Sequence, residues 1–379
     1  MKQALPVRVG QCLAPGLTGE APAYWHYHHI IDARTPAEFA LDHLPGAQNW
    51  PVLDNDQREI IGTMYQREGS FKAKREGAIL VARNIASLLE QHAGAIDPNA
   101  KLLVYCWRGG NRSGALSTVL ARIGFRTDVL EGGYKAFRRW VIEDTAHRVK
   151  QFRFFVIAGR TGSGKTDLLQ HLSAAGEQIV DLEALAKHRG SLLGAEVNEA
   201  QPSQRAFETV LWLKLSQFDA NRPVWLESES RKIGQIQIPE ALIEAMRAST
   251  HYQLEAPICL RSEYLLKHYH HWIDEPSRLE ARLQKLKPLM PLEVFTKLSN
   301  SLSEHRMADF VSQLLSDHYD PLYDRSIARN YRQAKHLIQL HALDTLSLQT
   351  AARALIEHRQ SQDAEAVVGL TQPQDFAGD

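Results

Sequence analysis

The sequence predicts an α/β protein that contains two parallel-sheet domains and ends in a mostly helical region. Three observations predict this class. Short apolar runs, such as Lys101–Tyr105, alternate with amphipathic stretches, which is the pattern of strands covered by crossover helices. A glycine-rich loop follows a second apolar run at 154–158 and opens a helix. Helical periodicity dominates after about residue 275, and 379 residues suffice for more than one domain.

The elements of the first domain can be placed from their local signals. Thr35 and Pro36 predict the start of a helix, because threonine is a good N-cap and proline suits the first helical turn. Gly124 predicts the end of a later helix. In chain order the predicted elements are a strand at 29–32, helices at 36–41 and 78–92, a buried strand at 101–105 and a helix at 113–124.

The second domain is predicted to begin near Phe152. Its strands are predicted at 154–158, 178–180 and 224–226. The expected boundaries are 1–142 for the first domain, 150–275 for the second, 276–360 for the helical region and 361–379 for a flexible tail.

Composition excludes several classes of protein. Hydrophobic residues make up 44% and charged residues 23%, as in folded globular chains. No run of about 18 apolar residues exists, and the N-terminus lacks the apolar core of a secretory signal. Three cysteines do not make a disulfide framework, so we expect a cytoplasmic protein with no membrane partner. The 44 basic and 44 acidic residues cancel, so RNA would need local basic patches.

A cysteine follows the buried strand at 101–105 and stands in the loop YCWRGGNRSG (105–114). The loop amides can converge on the Cys106 sulfur, and the following helix directs its positive N-terminus towards it. Arg108 and Arg112 add two positive charges. These effects favour a thiolate and would hold a small anion. A buried structural cysteine is the alternative interpretation, which the surrounding glycines and arginines disfavour.

This loop resembles the C-x5-R active site of the rhodanese family of sulfurtransferases. Cys106 and Arg112 occupy the matching positions, and IDAR (31–34), DHLPGA (42–47) and LEGGY (130–134) are also similar to that family. A C-x5-R loop alone also suits a phosphatase, but the flanking stretches favour the rhodanese family. The resemblance implies a rhodanese-like N-terminal domain with Cys106, Arg112 and Arg108 as catalytic residues.

A second loop, GRTGSGKT (159–166), fits the phosphate-binding pattern G-x4-G-K-[ST] between a strand and a helix. Its amides would cradle a diphosphate or triphosphate, Lys165 would neutralise the terminal phosphate, and Thr166 is a candidate ligand for Mg²⁺. The motif predicts a P-loop NTPase-like α/β domain. The predicted phosphate-binding residues are Gly159, Thr161, Gly162, Ser163, Gly164, Lys165 and Thr166.

Polar residues after two neighbouring strands are candidates to face the substrate or a metal. Glu227 ends the strand at 224–226, where P-loop proteins carry a metal-facing acid. Asp181 and Glu183 follow the strand at 178–180, where nucleotide kinases meet their acceptor; helix capping is an equally good interpretation of Asp181. His188 and Arg189 begin a polar loop, with Gly190 and Ser191, that could meet an anion.

The whole chain resembles the tRNA 2-selenouridine synthase family, in which a rhodanese-like domain precedes a P-loop domain. Asn111 departs from the family, which often has a larger apolar residue there. The similar stretches are YCWRGGNRSG (105–114), LEGGYKAFR (130–138), GRTGSGKT (159–166), DLEALAKHRGS (181–191), VWLESESRKIG (224–234) and HYDPLYDRS (318–326).

This resemblance implies a transferase that acts on the wobble 2-thiouridine of certain tRNAs. The family first transfers a geranyl group from geranyl diphosphate to the sulfur. It then replaces the S-geranyl group with selenium from selenophosphate. The implied partners are tRNA and these small molecules, with no tightly bound cofactor and Mg²⁺ left open.

Two other functions stay open from the residues alone. An ATP- or GTP-dependent kinase or NTPase with a rhodanese sulfur donor would carry both loops, but it needs tight nucleotide binding, which the synthase does not. A phosphate-sensing or scaffold module would not need Cys106, Arg112, Lys165 and Thr166 all intact.

Basic residues near the domain junction are the candidate contacts for the tRNA backbone. This junction set comprises Arg138, Arg139, Arg148 and Lys150. The alternative set, in the helical region, comprises Arg325, Arg329, Arg332 and Lys335.

Overall fold

The computed structural model describes residues 3–13, 25–189, 200–268, 276–330 and 335–371. The chain divides into two compact units. Unit 1 comprises Met1–Lys150 and Gln201–Phe218, and unit 2 comprises Gln151–Ala200 and Asp219–Asp379.

Strands and helices are labelled in chain order over the described residues. The strands are β1 Leu5–Val7, β2 His29–Asp32, β3 Ala47–Asn49, β4 Lys101–Tyr105, β5 Arg126–Leu130, β6 Phe154–Gly159, β7 Gln178–Val180, β8 Val224–Glu227, β9 Lys232–Ile233, β10 Ile236–Gln237, β11 Thr250–Glu255 and β12 Lys335–Gln339. The α-helices are α1 Val9–Cys12, α2 Pro36–Leu41, α3 Asn55–Arg67, α4 Ser70–His92, α5 Asn111–Ile123, α6 Gly133–Val149, α7 Lys165–Ala174, α8 Leu182–Ala186, α9 Gln204–Ser216, α10 Glu240–Ala248, α11 Ile258–His268, α12 Pro276–Leu286, α13 Leu292–Ser303, α14 Met307–Leu314, α15 Asp320–Asn330 and α16 Thr345–Thr371.

The five-stranded sheet of unit 1 is entirely parallel, in the order β1-β5-β4-β2-β3. Side chains alternate along the central strand β4. Leu102 and Val104 pack with α4 and α5 on one face, and Leu103 and Tyr105 pack with α6 on the other. Burial of both faces explains the unbroken apolar run in β4, and it confirms the predicted parallel sheet.

The helix predicted at 36–41 is confirmed by the structure, whereas the helix predicted at 78–92 begins earlier, at Ser70. The Thr35 hydroxyl accepts a hydrogen bond from the Glu38 amide (3.3 Å), and Pro36 occupies the first turn of α2. The helix predicted from Ser113 begins instead at Asn111, because the Gly114 amide already bonds the Gly110 carbonyl (2.9 Å).

Helix α9 stands between β7 and β8 in the sequence, yet it packs within unit 1. The Trp212 indole donates a hydrogen bond to Asp144 of α6 (2.8 Å), and Arg138 of α6 forms an ion pair with Glu208. The sequence places this segment in the 150–275 domain. Its apolar face is instead buried in the core of unit 1, where Trp212 is fully buried.

The sheet of unit 2 is also parallel, in the order β12-β11-β6-β8-β7. Phe155 of β6 packs with side chains of α7 and α16, including Leu169 and Leu348. The region after residue 275 is mostly helical, as predicted, apart from β12. This strand was not anticipated, and it pairs with β11 at the edge of the sheet.

The segment predicted as a tail begins within a helix. Helix α16 continues to Thr371, because residues 345–368 contain neither glycine nor proline. Residues 372–379 lie outside the described part of the chain.

Candidate active site

The thiol loop, residues 105–114, follows the central strand of unit 1. Cys106 is 3% exposed at the carboxyl end of β4. The backbone of the loop is fixed by hydrogen bonds from the Tyr134 amide to the Cys106 carbonyl (2.8 Å) and from the Lys135 amide to the Trp107 carbonyl (3.0 Å). This approach requires Gly133, since a Cβ there would lie 2.2 Å from the Cys106 carbonyl oxygen.

The surroundings of Cys106 favour its thiolate. Burial raises the pKa of this thiol, but hydrogen bonds from the Ser113 hydroxyl and amide, the charge of Arg112 and the Arg108 amide together lower it below the ordinary value. The Ser113 Oγ lies 3.2 Å from the Cys106 Sγ. The loop therefore holds an activated cysteine at the start of α5.

Arg112 is itself held by a carboxylate. Its guanidinium donates to both oxygens of Glu38 (2.6 and 3.3 Å), and this contact keeps the pKa of Glu38 low despite burial. Arg108 has an exposed side chain and contributes its amide. The sequence predicted Cys106, Arg108 and Arg112 for this loop but missed Ser113 and Glu38. A hydroxyl in the first turn after the cysteine could have indicated Ser113, whereas nothing local indicates Glu38.

The other rhodanese-like stretches support the loop from behind. Arg34 is fully buried, forms an ion pair with Asp32 (2.6 Å) and lies 3.8 Å from the centre of the Tyr134 ring. The Tyr134 hydroxyl donates to Asp42 (2.8 Å). These residues fix the turn that bonds Cys106, so their role is structural.

The phosphate loop, residues 159–166, connects β6 to α7 in unit 2. Gly162 and Gly164 have φ values of +79° and +77°, which favour glycine. Lys165 folds back over the loop and donates from Nζ to the Gly159 carbonyl (2.8 Å). Ser163 is buried with its hydroxyl close to Gly159, where a Cβ would lie 2.4 Å away. The predicted residues thus run without a break from Gly159 at the end of β6 to Lys165 and Thr166 in the first turn of α7.

Three glutamates lie beside this loop. Glu227, at the end of β8, is fully buried and accepts hydrogen bonds from the Thr166 hydroxyl (3.4 Å) and the Glu183 amide (3.2 Å). Carboxylate oxygens of Glu183, Glu227 and Glu229 lie within 4.8 Å of one another. The structure therefore brings together two predicted residues, Glu183 and Glu227, and adds Glu229, which the sequence analysis missed.

Burial raises the pKa of each of these carboxyls, that of Glu229 to about 8. Repulsion from the neighbouring glutamates adds to the rise for Glu227 and Glu229, whereas the charge of Asp181 adds to it for Glu183. The charge of Lys165 acts in the opposite direction on all three. Glu183 and Glu229 also share a hydrogen bond, so one of the two holds a proton. A cluster of oxygen ligands beside a threonine hydroxyl suits Mg²⁺, which prefers oxygen, and its charge would relieve the repulsion. The residues present therefore fit this ion.

Asp181, His188 and Arg189 contribute differently. The Asp181 carboxylate accepts the Ala184 amide (2.8 Å) and caps α8, which is the structural interpretation left open by the sequence. His188 is buried, and the charge of Arg189 partly offsets the rise in the pKa of Glu183. Gly190 and Ser191 lie outside the described residues.

The phosphate loop is braced by two arginine–aspartate pairs that the sequence did not predict. Buried Arg261 of α11 donates to the Thr161 carbonyl (3.1 Å) and to both oxygens of Asp320 (2.9 and 2.7 Å). Arg160 pairs with Asp324 (2.8 Å) at the surface. The aspartates belong to HYDPLYDRS (318–326), so this stretch stabilises the loop. A cavity of about 260 Å³ adjoins the two arginines.

The predicted RNA-binding junction set is wrong for Arg138. This side chain is 11% exposed and donates to the Thr209 hydroxyl (3.0 Å), so it is not available to a phosphate. Arg148 is half-buried and pairs with Asp144 (2.6 Å), whereas Arg139 and Lys150 are exposed. In the alternative set, Arg325 and Arg329 are exposed, Arg332 lies outside the described residues, and Lys335 begins β12.

None of the helices in the described part of the chain combines the length and apolar character needed to cross a membrane.

Two family models match the chain: the rhodanese-like domain over residues 24–139, and the tRNA 2-selenouridine synthase AAA domain over residues 152–278.

Three curated relatives match long parts of the chain, and all are named tRNA 2-selenouridine synthase. The protein from Sulfurovum sp. (strain NBC37-1) is 34% identical over 331 residues, covering 79% of this chain and 89% of the relative. The protein from Marinobacter nauticus is 31% identical over 331 residues, covering 79% and 88%. The protein from Nitrosomonas europaea is 35% identical over 244 residues, covering 63% of each chain.

Proposed function

Because the chain belongs to the tRNA 2-selenouridine synthase family, we propose that it converts the wobble 2-thiouridine of tRNA to 2-selenouridine through an S-geranylated intermediate. The observation that carries this proposal is the pairing of an activated cysteine loop with a complete phosphate loop in one chain. The first suits a small selenium-bearing anion, and the second suits a diphosphate leaving group.

The geranyl step is assigned to the phosphate loop. The loop amides bind the diphosphate of geranyl diphosphate, and Lys165 turns from the Gly159 carbonyl towards it. The thiocarbonyl sulfur attacks the first carbon of the geranyl group, and the bond from that carbon to oxygen breaks. Diphosphate leaves, and the uridine loses its N3 proton. Lys165 offsets the charge that builds on the leaving oxygen.

Thr166, Glu227 and the neighbouring Glu183 and Glu229 would hold Mg²⁺ if the reaction uses it. When bound, this ion would supply positive charge to the diphosphate. Without it, Lys165 and the loop amides are the groups that stabilise the leaving diphosphate.

The selenium step is assigned to the thiol loop. The amides of the loop and the charge of Arg112 bind the selenophosphate anion beside Cys106. Selenium forms a bond to C2 of the uridine, the C2–S bond breaks, and geranyl thiol leaves. Water accepts the phosphoryl group as the selenium–phosphorus bond breaks, giving phosphate. S-alkylation makes sulfur a better leaving group, which explains the order of the two steps.

The test is mass spectrometry of tRNA nucleosides from cells that lack this protein and from cells complemented with variants. Deletion should remove both geranylated and selenium-containing uridine. Cys106→Ser should restore geranylated uridine but not selenouridine, because alkylation of a thiocarbonyl needs no enzyme nucleophile. Cys259→Ser, which alters an exposed cysteine of unit 2, is the matched control and should restore both.

The kinase or NTPase alternative makes a different prediction for the same protein. It requires tight binding and hydrolysis of ATP or GTP, and selenium transfer that stops when nucleotide is absent. Normal levels of both modified uridines in the deletion strain would refute the proposed function.

A further inference from the structure

Trp107 follows the activated cysteine directly and is only half-buried. Its carbonyl is bonded by the Lys135 amide, and its ring packs at 5.4 Å from the Tyr134 ring, tilted by 35°. The indole is therefore held in place at the rim of the thiol loop. Neither binding of a small anion nor activation of Cys106 uses this aromatic surface.

Arg205 meets this indole from a different part of the chain. Its guanidinium carbon lies 5.7 Å from the centre of the Trp107 ring, within the range of cation–π contacts. The Arg205 side chain is exposed, and among the described residues it forms no ion pair; Glu208, the acid of the same helix, pairs with Arg138 instead. A planar cation held over an indole and left open to solvent can stack on another planar group.

Helix α9 brings Arg205 to this position and is firmly anchored. Ser203 caps the helix and donates to the Leu41 carbonyl, and Glu208 pairs with Arg138. The Thr209 hydroxyl donates to buried Asp42 (3.1 Å). These contacts lie within one turn of Arg205, so the position of its backbone is fixed. Although α9 comes from the second half of the chain, its packing in unit 1 thus brings the Arg205 side chain to the rim of the thiol loop.

The neighbours of this pair are basic. Arg108 and Lys135 are exposed, and their backbones flank Trp107. Exposed cations around a planar arginine match single-stranded RNA, whose phosphates are negative and whose unstacked bases bind to aromatic rings and guanidinium planes. An apolar chain would match the indole but not the surrounding charge.

We propose that Arg205, held by Trp107, stacks on an unpaired base of the RNA substrate and so positions it beside Cys106. This inference rests on the proposed function, and it deepens that function by naming where the base is bound for the selenium step. Arg205 is the contact residue, and Trp107 is a positioning residue that acts through it.

The experiment measures how well RNA protects Cys106 from iodoacetamide in the full-length protein. The probe is an anticodon stem-loop RNA whose wobble base carries S-geranyl-2-thiouridine, and alkylation of the Cys106 peptide is followed by mass spectrometry. Base stacking is worth roughly 5- to 150-fold in affinity. We expect Arg205→Gln and Trp107→Leu to raise, by a factor in this range, the RNA concentration at which half of the Cys106 is protected. The rate of Cys106 alkylation without RNA should stay unchanged in both variants.

Three further samples separate stacking from charge and from hydrophobic binding. Arg205→Lys keeps the charge but loses the plane, so it should bind about as weakly as Arg205→Gln. Arg122→Gln removes an exposed charge about 15 Å along α5 from Arg112 and should protect like the wild type. The same RNA without the wobble base should protect poorly in every variant.

Protection of Arg205→Lys at the wild-type RNA concentration would overturn the inference and make Arg205 a phosphate contact. Equal protection by the RNA without the base would overturn it as well. Weakening confined to geranylated RNA, with none for 2-thiouridine RNA, would assign the surface to the terpenyl chain instead. Failure of wild-type protein to bind any of these RNAs would overturn the proposed function together with the inference.

Discussion

Replacing Ser113 with alanine should raise the pKa of Cys106 and so lower its alkylation rate at a pH below that pKa by about tenfold. The Ser113 hydroxyl lies 3.2 Å from the sulfur, and both its hydroxyl and its amide favour the thiolate. A hydrogen bond to a charged group contributes about 1.5–3 kcal/mol, and one pKa unit corresponds to about 1.4 kcal/mol. Sulfur is a weak acceptor and the Ser113 amide remains, so the lower end of this range applies.

The assay is the rate of iodoacetamide alkylation across a pH series, with each cysteine peptide quantified by mass spectrometry. Because the folded protein lowers the pKa of Cys106, this cysteine remains a thiolate at a lower pH than an ordinary cysteine does. Ser113→Ala should therefore shift the midpoint of the curve of alkylation rate against pH to higher pH. Cys12 is an internal reference, since burial raises its pKa to about 12 and it should react slowly throughout.

Ser117→Ala is the matched control. Ser117 is buried one turn further along α5, and its hydroxyl donates to the Gly114 carbonyl (3.1 Å), away from the sulfur. The Cys106 midpoint should stay unchanged in this variant. An unchanged midpoint in Ser113→Ala, or an equal rise in Ser117→Ala, would refute the assignment of the thiolate to this hydrogen bond.

Other variants test the phosphate loop and the RNA surface. Lys165→Ala should slow geranyl transfer roughly 10²–10³-fold, measured with purified protein and thiolated tRNA, because a donor to the leaving diphosphate is lost; unchanged transfer with lost ATP binding would favour the kinase alternative. Arg261→Met removes the buried cation that pairs with the partly buried Asp320 and should destabilise unit 2 by about 3 kcal/mol in urea unfolding. Arg160→Gln at the exposed pair should cost at most about 1 kcal/mol, and equal effects would contradict the bracing role of Arg261. Arg138→Ala should lower the free energy of unfolding of unit 1 but leave the salt dependence of tRNA binding unchanged, because Arg138 is buried and bonds Thr209. Loss of a phosphate contact would instead make the slope of the log binding constant against the log salt concentration shallower by roughly 0.7–0.9.

The two loops could be predicted from the sequence because their chemistry is local. In each, a buried strand, a glycine-rich turn and a helix follow one another within about twenty residues, and the cysteine or lysine stands at the junction. Gly162 and Gly164 adopt positive φ, and the motif predicts this because it places glycine, which tolerates positive φ, at both positions. The capping threonine of α2 is local in the same way.

The residues that complete the sites could not be predicted, because they arrive from distant parts of the chain. Arg261 reaches the Thr161 carbonyl across 100 residues, and Glu38 reaches Arg112 across 74. Arg205 lies in a segment that the sequence places with the phosphate loop, and only packing of α9 against α6 shows that it belongs to unit 1. Arg138 was misread for the same reason: its partners stand 70 residues away.

Reconstitution of both steps with purified protein is the most direct test of the proposed division of labour. A stem-loop RNA with wobble 2-thiouridine is incubated first with geranyl diphosphate and then with selenophosphate, without any nucleotide, and its nucleosides are analysed by mass spectrometry. We predict S-geranyl-2-thiouridine after the first addition and 2-selenouridine after the second, with Cys106→Ser arrested at the geranylated product. Selenouridine that forms only when ATP or GTP is added, or that forms without any geranylated intermediate, would contradict this assignment of the two loops.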